Sequence, residues 1–118
     1  MSGTTTRVQN VNLTGASGNP AVSIGQSTSA ITNKSGTITL GGTAQTAIAA
    51  NTARVGCSIQ NTSTGVMWVS DVGTAAPNGS SMLLLPGGEY VSPINAKIVG
   101  AISVYGATTG QSFAGREW

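Results

Sequence analysis

Histidine is missing from this sequence, and cysteine occurs once, at Cys57. Each absence closes a route to chemistry. Ser-His-Asp and Cys-His arrangements need an imidazole to take the proton, so nucleophilic hydrolysis by those routes is excluded. A structural zinc site has no ligand set without imidazole and with one thiol. A single cysteine also forms no intramolecular disulfide. Acid is almost as scarce, since Asp71, Glu89 and Glu117 are the only carboxylate side chains. Two of them, Asp71 and Glu89, flank a loop and would suffice in number for a glycosidase. The plainer reading is that such isolated acids are solvated or ion-paired. No catalytic residue, cofactor or metal is therefore expected.

The cations are equally sparse. Arg7, Lys34, Arg54, Lys97 and Arg116 are scattered singly and leave a net charge of only +2. Tracking phosphates needs several Lys or Arg on one face, so nucleic acid is not an expected partner. No stretch approaches 18 apolar residues and MSGTTTRVQN has no apolar core, so neither a membrane span nor a signal peptide is expected, and synthesis is assigned to the cytoplasm. The Asn-x-Ser/Thr matches at Asn12, Asn33, Asn61 and Asn78 read as turn and strand residues. GATTG, residues 106–110, lacks the lysine of a phosphate loop and reads as a turn. Charged residues make up 7% of the chain against roughly 25% in ordinary soluble domains. Little charge is left to keep a monomer apart from its neighbours, so a homo-oligomer is expected.

What is abundant is Gly, Thr, Ser and Asn, distributed unevenly. Residues 1–34 carry few apolar side chains, too few for a core. Val11 with Leu13 and Val22 with Ile24 alternate at period two, the pattern of an extended arm that adds strands to a partner. Residues 35–118 form the expected domain. TITLG puts Ile38 and Leu40 on one face, and a strand is expected at about 43–49. RVGCSIQN alternates Val55, Cys57 and Ile59 against Arg54, Gly56 and Ser58, and with VMWVS predicts a hairpin over 54–70, in which Cys57 is a core residue. DVGTAAPNGSS is a loop. SMLLLPGGEYVSP predicts two short strands about a Gly87-Gly88 turn. KIVGAISVYG and QSFAGREW predict a last hairpin, with Phe113 and Gly115 on one face and Ala114, Arg116 and Trp118 on the other. About eight short strands with frequent turns predict an all-β fold, an antiparallel β-sandwich or jelly-roll-like domain with an extended N-terminal arm. A tryptophan at the last position of so aromatic-poor a chain is expected to be docked, which makes Arg116 and Trp118 candidate interface residues beside Val11, Leu13, Val22 and Ile24.

GTAQTA, the Arg54 to IQN strand, WVSDVGTAA, LLLPGGEYVSP and above all GATTGQSFAGREW together resemble small virion-associated proteins of tailed bacteriophages. The resemblance covers residues 35–118. It implies a capsid decoration or cement protein, or a head-fibre or tail accessory, located on the virion and bound to the major capsid protein or another virion protein, with no catalytic residues. The alternative function is a receptor- or glycan-binding module, for which Trp68, Asp71 and Tyr90 around the 71–81 loop are the candidate contacts.

Overall fold

Alternation of apolar residues over short runs, cut by Gly, Pro and Asn, favours short strands over helix. In a computed structural model, which describes residues 30–118, nine strands and no helix are formed. They are β1 (Thr32–Asn33), β2 (Gly36–Thr37), β3 (Gln45–Ile48), β4 (Cys57–Asn61), β5 (Met67–Ser70), β6 (Met82–Leu84), β7 (Glu89–Val91), β8 (Ile102–Gly106) and β9 (Ser112–Glu117). Every pairing is antiparallel. One sheet runs β1-β9-β4-β7, with β2 also along β9, and the other runs β3-β8-β5-β6.

The core is shared by both sheets. Cys57, Ile59, Tyr90 and Phe113 enter it from one side and Ile48, Met67, Val69, Leu84, Ile102 and Val104 from the other, with Ile38 between them. Each such aliphatic side chain taken out of water contributes about 1.5–3 kcal/mol. Cys57 is fully buried, as its alternation with Ile59 predicts.

The expected hairpins are corrected by this topology. β4 and β5 lie in opposite sheets, as do β6 and β7 and also β8 and β9. Strand–turn–strand sequences are the same for a hairpin and for an arch between sheets, and the decision is made by what the turn residues bond. Asn61, wholly buried, donates from Nδ2 to Gly65 O (2.7 Å) and Leu84 O (2.9 Å) while its Oδ1 accepts from the Ser63 amide. Gln111 donates from Nε2 to Ser63 Oγ and Val66 O and accepts from the Thr108 amide. These two amides therefore tie the three inter-sheet arches together, Asn61 joining the β4–β5 arch to the end of β6 and Gln111 joining it to the β8–β9 arch. Gly106 makes room for this, because a Cβ there would sit 2.5 Å from Gln111 Oε1.

Two further expectations shift. The strand expected through TITLG ends at Thr37, so Ile38 is buried while Leu40 is exposed in the turn that follows. Thr32 and Asn33, assigned above to the arm, pair with Glu117 and Arg116 of β9, and the Lys34 amide donates to Gly115 O (2.7 Å). Val11, Leu13, Val22 and Ile24 lie outside the described residues.

Candidate assembly surface

The last residues of β9 form a clasp. Trp118 continues the ladder, its amide donating to Gly56 O (2.9 Å) and its main-chain oxygen accepting from the amides of Val55 (2.6 Å) and Gly56 (3.0 Å). Alternation along β9 buries Phe113, Gly115 and Glu117 and turns Ala114, Arg116 and Trp118 to the outer face. The indole lies against Gly56: a Cβ on that glycine would meet the ring at 2.6 Å. Trp118 thus covers the sheet's outer surface, half-buried, and leaves the core sealed by others.

Beneath the clasp is an ion pair that the alternation of RVGCSIQN misplaces. Arg54, expected on the exposed face, is 1% exposed, and Val55, expected in the core, is 52% exposed. The reason is that β4 begins only at Cys57, so the preceding turn reverses the facing. Arg54 Nε donates to Glu117 Oε1 (2.9 Å), Nη1 to Ile98 O and Gly100 O, and Nη2 to Ala49 O. Lys34 Nζ stands 3.6 Å from Glu117 Oε2, and Asn51 also donates to that oxygen. Burial by itself would raise the Glu117 pKa, but the hydrogen bonds from Arg54 and Asn51 and the charges of Arg54 and Lys34 outweigh it and hold the carboxyl below the usual range. Arg116, the expected partner of an acid, is exposed and in no ion pair among the described residues.

Around Trp118 the outer surface is apolar. Val55, Val91, Pro93 and Ile94 line a hollow against the indole and Gly56, and Ile94 is fully exposed. Val91 and Pro93 also border the groove between β6 and β7, where Met82 and Leu83 are exposed too. Exposed apolar groups that adjoin in this way make this face the candidate contact surface. The sequence signal available for Val91 and Ile94 was their place beside Pro93, which interrupts strand geometry; nothing local marked them as outward.

The candidate ligand contacts are only partly brought together. Tyr90 points into the core and its hydroxyl donates to Asp71 Oδ2 (2.6 Å). Burial, then the bond to the carboxylate, raises the phenol above its ordinary pKa. Trp68 faces the other way, on the outer surface of the second sheet, in register with Leu83 and Tyr105. A buried Tyr90 cannot stack on a surface ligand, so the three residues do not form one platform. Comparison of the chain with protein-family models, curated proteins and solved structures returns no match.

Proposed function

We propose that this chain is a noncatalytic structural protein of a tailed-phage virion, most simply a capsid decoration or cement protein that binds the major capsid protein and its own copies. The observation that carries the reading is the apolar outer patch of Val55, Val91, Ile94 and Trp118 on a domain with almost no charge. Burying such a patch removes apolar surface from water without desolvating ions. The strand orders support a jelly roll: if β1 and β2 count as one interrupted strand along β9, two four-stranded sheets draw their strands in the pattern of two Greek keys. The motif resemblance over residues 35–118 points to the same class.

The test is substitution in the patch. Ile94→Asp and Val55→Asp should leave the thermal midpoint of the free domain nearly unchanged, within about 0.5 kcal/mol, since both side chains already face solvent. Occupancy on particles should fall severely. Normal occupancy by both variants would exclude the patch as the attachment surface.

A second reading, a glycan- or receptor-binding module, retains one observation. Trp68 and Tyr105 are cross-strand neighbours on an outer face that leads to a cleft of about 360 Å³ lined in part by Thr46, Asp71, Thr74 and Ser103. Trp68→Ala separates the readings, because it should abolish receptor binding under the second and leave particle occupancy intact under the first.

A further inference from the structure

We propose that Asn78 is a site of covalent self-modification, at which the Gly79 nitrogen closes on the Asn78 side chain and the amide is converted to aspartate and isoaspartate. The same turn is used three times in the molecule. Asn33, Asn61 and Asn78 each stand two residues before a serine, and each accepts at Oδ1 from both the amide and the hydroxyl of that serine. The distances are 3.1 and 2.7 Å from Ser35, 2.9 and 2.7 Å from Ser63, and 2.9 and 2.6 Å from Ser80. The ring so closed contains both the side-chain carbon Cγ and the nitrogen of the residue between. Two donors on Oδ1 also stabilise the negative oxygen that forms when a nucleophile adds to Cγ, as an oxyanion hole does.

The three turns differ in the nitrogen that must attack and the amide that must leave. After Asn33, the Lys34 amide donates to Gly115 O (2.7 Å). After Asn61, the Thr62 amide donates to Ser112 O (3.2 Å), and Asn61 Nδ2 is itself held by Gly65 O and Leu84 O. At Asn78 neither restraint is present among the described residues. The Gly79 amide and Asn78 Nδ2 donate to no protein acceptor there, and both residues are exposed. A Cβ on Gly79 would meet nothing within 4 Å, and a glycine swings its nitrogen onto Cγ with the least steric hindrance. Asn-Gly occurs once in the chain.

The rest of the loop holds the reacting atoms together. The Asn78 amide donates to Ala76 O (2.8 Å) and the Ser81 amide to Asn78 O (3.3 Å). Ser81 Oγ accepts from the Ala76 amide (3.0 Å), and Ser103 Oγ of β8 accepts from the Ala75 amide (2.9 Å). Positioning of this kind speeds an intramolecular addition. Hydroxide takes the Gly79 amide proton, the nitrogen bonds to Cγ, and the Cγ–Nδ2 bond then breaks, ammonia leaving with a proton from water. Water next opens the five-membered imide at either carbonyl. One opening leaves aspartate in the normal chain, and the other carries the main chain through Cβ. One water is consumed and one ammonia released, with nothing oxidised or reduced. Either product adds a carboxylate to a chain with three acidic side chains.

Peptide mapping by mass spectrometry tests this on the full chain kept in warm, mildly alkaline buffer, with aspartyl and isoaspartyl peptides separated by chromatography. Asn78 should convert while Asn33 and Asn61 remain amides. Gly79→Ala, for which there is open space, should slow conversion about tenfold or more. Ser80→Ala removes one donor from Oδ1 at an exposed position and should slow conversion in the folded chain about two- to tenfold. In urea, where the turn is lost, Ser80→Ala and the unsubstituted chain should convert at one rate, below that of the folded unsubstituted chain. An intact Asn78 in the folded chain, faster conversion in urea, or a folded rate indifferent to Ser80→Ala would overturn the proposal.

Discussion

Glu117 has the densest set of polar partners at the end of the chain, and its titration should be visible in stability. Its carboxyl is held below the ordinary value of 4.5 in the folded state. The unfolded chain therefore takes up the proton first, so the stabilisation is complete above about that value and is lost as pH falls through the lower folded one. Glu117→Gln should be less stable than the unsubstituted chain at neutral pH and should lose less on acidification, a pair of results given by denaturant midpoints at the two pH values. Parallel loss in both proteins would contradict the assignment. Arg54→Ala leaves Glu117 buried without its closest partner and should cost about 3–5 kcal/mol, a large share of the roughly 5–15 kcal/mol that holds a domain folded. Gly56 carries a different constraint. Gly56→Ala drives a methyl into the indole of Trp118, so tryptophan emission should shift to the red with a cost of about 1–3 kcal/mol. Unchanged emission would mean that the ring does not rest on this glycine.

The inter-sheet arches set the topology at the level of elements. Asn61→Ala removes two donors from the Gly65 and Leu84 carbonyls inside the molecule, and should lower stability by about 1–3 kcal/mol in a urea titration while leaving the far-ultraviolet spectrum all-β. A loss no greater than that of an exposed Asn would show that the arch is held by something else. Asn61 also marks where the sequence stops being informative. Its turn chemistry is legible, since an Asn followed by Ser and Gly reverses a chain wherever it occurs, and the strands on either side are legible from Cys57, Ile59, Met67 and Val69. Whether those strands lie side by side or face to face depends on Leu84, far along the chain, whose carbonyl Asn61 bonds. Alternation placed Phe113, Gly115, Arg116 and Trp118 on their proper faces because β9 is long and regular. It misplaced Arg54 and Val55 because the strand starts three residues later than the pattern does. The Arg54–Glu117 pair joins residues 63 apart in sequence, and no spacing rule connects them.

For the whole molecule, the distribution of its few charges and exposed apolar groups separates an inward architecture from an outward one. Among the described residues, ion pairing is concentrated beneath the terminal clasp, while the surface above it presents Val55, Val91 and Ile94. A domain arranged in this way gains from neighbours on that face. The proposed decoration role makes a quantitative demand, because a protein that cements a shell must be present at a number tied to the capsid lattice. Under that proposal the most direct measurement is its copy number relative to the major capsid protein, by quantitative mass spectrometry of purified phage particles. The account predicts a fixed simple ratio that brings the total to hundreds of copies in a particle. A few copies, or none above the background of host proteins, would contradict it.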